Sequence, residues 1–141
     1  MIQLRTLLIA SAIAATVGLT ACSSTAMGTT TAITAKLSGA NEVPPVTTAG
    51  TGMLDASFNK ATSVLTYTVT YSGLSGPVAA GHFHGPAMAG ANAGVALGFS
   101  GSMESPIKGS ATLTAAQAAD LLAGKWYVNL HTAANKGGEI R

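Results

Sequence analysis

The chain has 141 residues with 7 lysines and arginines, 5 aspartates and glutamates, and a formal net charge of +2. These charges are scattered, which excludes the basic stripe expected of a nucleic-acid-binding protein. One cysteine cannot form an intramolecular disulfide, and the length suits a single domain whose stability comes from core packing.

The N-terminal residues are typical of a bacterial lipoprotein. Residues 1–21 are predicted to be a signal peptide, because Arg5 precedes an apolar run over residues 7–19 that is short for a membrane span. The run ends in Leu-Thr-Ala-Cys, which resembles a lipobox, so Cys22 is predicted to carry a lipid. Ser23 in the next position, in place of aspartate, predicts an outer-membrane lipoprotein facing the periplasm or the cell surface. The alternative is an ordinary secretory signal with an incidental cysteine.

The mature sequence alternates between short strands and turns. Residues 22–31 are small and polar and are predicted to form a flexible tether, followed by one domain over residues 32–141. Within residues 63–72, four large apolar side chains alternate with threonine and serine, which predicts a strand with one buried face. Residues 50–58 alternate as well, and a short turn joins the two runs. This pattern predicts an antiparallel hairpin.

The other predicted elements complete an all-β chain. A helix is predicted over residues 114–124, with Thr114 and Gln117 forming an N-terminal capping box and Gly124 capping the other end. Short strands are predicted at residues 32–37, 82–84, 95–99, 108–113, 125–132 and 139–141, with loops at residues 38–49, 73–80 and 86–94. The predicted fold is an antiparallel, Greek-key-like β-sandwich with one short helix near the C-terminus.

The three histidines form the candidate site. His82 and His84 are one residue apart, so in a strand both imidazoles project from the same face, and His131 lies in a second predicted strand. Imidazoles that converge in this way are ligands for copper or zinc. The hypothesis is one metal ion held by the three histidines, with Asn129 and Glu139 as partners of the ligating rings.

Two other interpretations of the histidines stay open. The imidazole N–H groups would serve a structural role if they tied loops of the sandwich to backbone carbonyls, or the cluster would form a pocket for a ligand other than a metal. Glu42 is expected to be a solvated loop carboxylate rather than a ligand, because glutamate is mostly exposed. Glu139 is expected to pair with Arg141 or Asn129 where it does not assist a metal.

Four sequence blocks resemble the CHRD domain, a module named after the extracellular protein chordin and widespread in secreted bacterial proteins. The blocks are Leu-Ser-Gly-Ala-Asn-Glu-Val-Pro-Pro from residue 37, Gly-His-Phe-His-Gly-Pro from residue 81, Tyr-Val-Asn-Leu-His-Thr from residue 127 and Gly-Gly-Glu-Ile-Arg from residue 137. They follow the family's order over residues 31–141. Lys136 stands where the family often has proline, and the last strand is expected to be short. The resemblance implies an extracellular β-sandwich and names no reaction.

Enzymatic activity is not expected. Copper–zinc superoxide dismutase shares the sandwich and the His-x-His pair, but it needs more than three histidines and a disulfide. A Gly-x-Ser-x-Gly elbow is absent, and the glycines between strands are accounted for by turns. The expected function is therefore a lipid-anchored envelope module that binds a copper or zinc ion, with the membrane as one partner and no protein partner identified. The alternative is a structural, protein-interaction or adhesion module whose histidines brace the fold.

Overall fold

The computed structural model describes residues 28–141. The predicted signal peptide and Cys22 lie outside this range. Within it, no helix has the length and apolar character that a membrane span requires.

Residues 28–141 form two antiparallel sheets and one α-helix, which confirms the predicted all-β sandwich. One sheet has the strand order β1-β2-β3-β6, and the other has the order β5-β4-β7. The elements are β1 (Thr30–Ser38), β2 (Thr51–Asn59), β3 (Val64–Ser72), β4 (Val78–His84), β5 (Val95–Gly98), β6 (Ile107–Thr112), α1 (Ala115–Leu122) and β7 (Tyr127–Thr132), with a 3₁₀ turn at Gly39–Asn41.

The predicted hairpin is the centre of the larger sheet. β2 and β3 pair along their whole lengths, from Thr51 opposite Ser72 to Asn59 opposite Val64. The inward face of β3 carries Leu65 and Val69, which are fully buried, while the threonines between them face outward. The period of two in the sequence therefore identified the buried face correctly.

The second sheet is built from strands that cross over from the first. The chain passes from β3 to β4 and β5, returns to β6 beside β3, and crosses again through α1 to β7 beside β4. Phe83 of β4 and Val128 of β7 point into the space between the sheets, where they pack with the apolar residues of β2 and β3. The neighbouring residues of β4 and β7 consequently face away from the core.

Helix α1 begins and ends with the predicted caps. The Thr114 hydroxyl accepts a hydrogen bond from the Gln117 backbone N–H, and the Gln117 side chain accepts one from the Thr114 N–H. At the other end Ala123 is the C-cap and Gly124 follows with a φ of +70°, a backbone conformation that glycine adopts without steric cost.

Several boundaries differ from the sequence prediction, and two of the differences extend a strand into a predicted tether or loop. β1 begins at Thr30, inside the predicted tether, because Thr30 pairs with Asn59 of β2. β4 begins at Val78, within a predicted loop, because Val78 pairs with Thr132 of β7.

The predicted last strand, residues 139–141, forms a single bridge between Leu130 and Ile140. Arg141 then exchanges two backbone hydrogen bonds with Ser38 of β1, at 3.0 and 3.1 Å, so this segment links the edges of the two sheets.

Candidate metal centre

The pairing of β4 with β7 places all three histidines on one surface. In the register His84 stands opposite Tyr127, and His131 stands opposite Ala80. Directly opposed residues of antiparallel strands point to the same face, and His82 points there too because it lies two residues from His84. The intervening residues of both strands belong to the core. The cluster therefore lies on the outer face of the smaller sheet.

The three imidazoles converge. One ring nitrogen from each of His82, His84 and His131 lies within 4.8 Å of the others. The closest described approach joins His82 Nδ1 to His131 Nε2 at 3.1 Å. Nitrogens bound tetrahedrally at about 2.0–2.1 Å from zinc are roughly 3.3 Å apart, so no pair of ring nitrogens would have to close by more than about 1.5 Å. All three residues are partly buried.

Two of the imidazoles are held by backbone carbonyls. His84 Nδ1 lies 3.0 Å from the carbonyl oxygen of Ala93, and His131 Nδ1 lies 2.9 Å from that of Lys136. A carbonyl only accepts hydrogen bonds, so in both rings Nδ1 carries the proton and Nε2 presents its lone pair. This is the arrangement usual for metal-ligating histidines. The His84 Nε2 atom is buried and has no hydrogen-bond partner within residues 28–141.

Electrostatics favour the neutral form of His82. Burial lowers the pKa of His82 below its ordinary value, and the positive charges that His131 and His84 would carry lower it further. A neutral imidazole is the form that binds a metal ion, so this lowered pKa favours the metal-binding form of His82.

Asn129 lies beside the cluster but is hydrogen-bonded to a carboxylate. It stands opposite His82 in the register, and its amide Nδ2 donates to both carboxylate oxygens of Glu42, at 2.9 and 3.1 Å. Glu42 is only 6% exposed, so the expectation of a solvated loop carboxylate was wrong. The loop that follows β1 folds over this part of the outer face and buries the Asn129 side chain. Burial raises the pKa of Glu42 to about 7, although Arg141 lowers it in part.

Gly138 permits this buried pair to form. Its φ is +128°, and a Cβ at this position would lie 2.2 Å from Asn129 Nδ2 and 2.6 Å from Glu42 Oε1. Any larger residue would have to displace one of the two side chains. The second glycine of the Gly-Gly-Glu block is therefore accounted for by close packing.

Glu139 is fully buried in a cage of hydroxyl groups. Its carboxylate accepts hydrogen bonds from the Thr48 hydroxyl at 2.6 Å, the Thr132 hydroxyl at 2.7 Å, and both the N–H and the hydroxyl of Ser75 at 2.8 and 2.5 Å. Burial by itself would raise the pKa of Glu139, but these hydrogen bonds lower it to about 2. The expected pairing with Arg141 or Asn129 was wrong. No hydrogen bond described for residues 28–141 joins Glu139 or Asn129 to a histidine; the carbonyls of Ala93 and Lys136 make those contacts.

Sequence reasoning missed an aromatic and cationic stack beside the cluster. The His84 and Tyr127 rings are parallel within 7°, with their centroids 5.0 Å apart, and the Arg141 guanidinium lies 3.5 Å from the centre of the Tyr127 ring. The Tyr127 hydroxyl accepts a hydrogen bond from the Ala93 N–H at 3.1 Å. The period of two in this strand puts Tyr127 on the same face as His131, and it was the available signal for this contact.

The family comparison assigns most of the chain to one family. The CHRD domain model matches residues 33–141, which is most of the chain, so the protein belongs to the CHRD family. No curated protein and no solved structure matches the chain. Membership supports a binding or interaction module and leaves the ligand to be argued from the site.

Proposed function

We propose that this chain is a lipid-anchored CHRD-domain protein of the bacterial envelope that binds one copper or zinc ion through His82, His84 and His131. The lipid on Cys22 would hold the domain at the membrane. The protein would act by binding and not by catalysis.

The observation that carries the metal proposal is the orientation of the imidazoles. The Nδ1–H contacts of His84 and His131 with carbonyls serve a structural role equally well, since they tie loops to strands. A bracing role accounts for the approach of His82 Nδ1 to His131 Nε2, because the two atoms are 3.1 Å apart and within hydrogen-bond distance. It does not account for the Nε2 of His84, which is buried without a hydrogen-bond partner among residues 28–141, because such a buried polar atom costs about 1–3 kcal/mol. A metal ion would satisfy this lone pair.

Metal titration of residues 23–141 tests the proposal. These residues retain every described strand and avoid the lipid. We expect one Cu(II) or Zn(II) per chain, and a stabilisation of about 2.7 kcal/mol at a free metal concentration 100 times the Kd. Binding should weaken as pH falls through about 6.5, because protonated imidazole has no lone pair to give.

His84→Phe provides the sharpest variant. Phenylalanine retains the flat ring that stacks on Tyr127 but removes both nitrogens. We expect it to weaken metal binding about 100-fold or more. Loss of a hydrogen-bond partner of a ligand weakens metal binding by about 10–100-fold, and loss of the ligand itself should have at least the upper end of this effect. The exposed Thr66→Ala change serves as a control and should leave affinity unaltered.

The bracing role predicts a different pattern. The wild-type chain would bind no metal in stoichiometric amount, its stability would not respond to EDTA or added metal, and the histidine variants would lose stability in metal-free buffer. That result would refute the metal proposal and favour the structural or adhesion module.

A further inference from the structure

Two adjoining cavities open on the side of the sandwich where β1 and β7 form the edges of their sheets. Their volumes are about 220 and 190 Å³. They are lined in part by the same residues, so they form one bipartite space that enters between the sheets. The shared residues are Ala35, Gly124, Trp126, Tyr127 and Val128.

The inner cavity is apolar. Apart from the residues that it shares with the outer one, its lining is dominated by Ile33, Leu54, Phe83 and Leu121. None of the described residues that line it is charged. Leu54 and Phe83 are 5% and 1% exposed, so this space reaches the edge of the hydrophobic core. Since one water-sized group occupies about 30 Å³, the inner cavity would hold roughly six carbons of an apolar chain, and the remaining carbons of a longer chain would lie in the outer cavity.

The outer cavity is positively charged. Among the described residues, the charged residues of its lining are Lys36 and Arg141, and no aspartate or glutamate lines it. Lys36 is exposed and takes part in no ion pair described for residues 28–141. The Arg141 guanidinium donates hydrogen bonds to the neutral oxygens of Asn92 and Ala91.

Other groups at the mouth are already hydrogen-bonded. The main-chain oxygen of Arg141 accepts from the Ser38 N–H and the Asn41 amide. The Glu42 carboxyl group, which senses the Arg141 charge, does not line the cavity and is bonded to Asn129. The outer cavity therefore favours an anion.

We infer that this bipartite cavity binds an amphipathic carboxylate, with a medium-length apolar chain in the inner cavity and the carboxylate at Lys36 and Arg141. Charge decides the orientation, because an anionic head group gains from the two cations while an apolar tail gains from leaving water. The site adjoins the histidine cluster, because Tyr127 lines both cavities and stacks on His84, but its occupancy does not require a metal ion.

The only tryptophan of the chain lines both cavities and reports on their occupancy. We would titrate residues 23–141 with decanoate below its micelle concentration, in EDTA, and record Trp126 fluorescence. The expected result is a saturable change with one site per chain. Decyltrimethylammonium, which has the same chain and a positive head group, should bind at least tenfold more weakly.

Two variants locate the ligand. Lys36→Gln should weaken decanoate binding about fivefold, as expected for one partly solvated charge pair. Ala35→Phe, at an exposed position of β1 that lines both cavities, should block binding while circular dichroism shows an unchanged fold. Lys108→Gln, on β6 at the opposite edge of the larger sheet, is the matched charge control and should leave affinity unchanged.

The inference would be overturned by any of three results. These are the absence of a saturable fluorescence change, equal affinity for the cationic amphiphile, and undiminished decanoate binding by Ala35→Phe. A Lys36→Gln variant that binds decanoate as tightly as the wild type would equally overturn the assignment of the head-group site.

Discussion

Replacing Glu42 with glutamine should change the stability of the protein in a pH-dependent way. The carboxyl group is 6% exposed, and it receives both of its described hydrogen bonds from one Asn129 amide nitrogen. Desolvation by burial raises the pKa of Glu42 from 4.5 to about 7, and the Arg141 charge offsets only part of this effect. Between about pH 4.5 and 7, Glu42 therefore holds a proton in the folded protein that it releases in the unfolded chain.

The sign and size of the effect follow from this difference. The stability contributed by the bound proton is fully present below about pH 4.5 and is lost as pH rises to about 7. The shift is 7 minus 4.5, or about 2.5 pKa units, which corresponds to about 3 kcal/mol. The free energy of unfolding should fall by this amount between pH 4.5 and 7.5 on account of Glu42 alone.

Glutamine is neutral at every pH and has the same shape. Its carbonyl oxygen can accept from Asn129 Nδ2, and its N–H groups can donate to Asn129 Oδ1, which is buried with no partner within the described residues. Glu42→Gln should therefore match the wild type near pH 4.5 and exceed its stability by up to about 3 kcal/mol at pH 8.

Urea unfolding at pH 4.5 and pH 8 in EDTA measures the effect. Histidine titration contributes to both proteins, so it cancels in the difference between variant and wild type. Glu104→Gln, at an exposed loop position, is the matched control and should show no comparable gain. If Glu42→Gln is less stable than the wild type by the same amount at both pH values, Glu42 is an ionised partner of Asn129 and the reasoning fails.

The remaining predictions concern the core, the buried carboxylate and the N-terminus. Val69→Ala should lower the free energy of unfolding by about 1–3 kcal/mol, because Val69 is fully buried. Thr66→Ala, on the exposed face of the same strand, should lower it by about 0.5 kcal/mol or less. Equal losses in urea unfolding would mean that the buried face of β3 is wrongly assigned. Glu139→Gln should destabilise the protein by about 3 kcal/mol at pH 7. The pKa of Glu139 is lowered from 4.5 to about 2, so the ionised carboxylate contributes stability that is present above pH 4.5 and lost as pH falls through 2. If the variant is less stable than the wild type by the same amount at pH 2, the loss does not come from the ionised carboxylate. Cys22→Ser should abolish acylation. If mass spectrometry finds that the mature wild-type protein begins after Cys22 and carries no lipid, the lipobox prediction is wrong.

Local patterns in the sequence identified what depends on neighbours along the chain. The alternation in β3 predicted which side chains are buried, and the Thr114–Gln117 spacing predicted the capped start of α1. The same period of two placed His82 and His84 on one face of β4. These features depend on backbone geometry within a few residues, so the sequence alone contains the information that they need.

The tertiary structure decided what depends on register and on loop placement. His131 meets His82 because β7 pairs with β4 in one register, and a shift by one residue would have turned His131 toward the core. The burial of Glu42 arises because the loop after β1 crosses the outer face of a different sheet. Glu139 finds its hydroxyl partners on Thr48 and Ser75, which are 91 and 64 residues away. Such contacts join segments that are far apart in the chain. They form only when the two sheets pack together and their edge strands come close, so no local periodicity in the sequence predicts them.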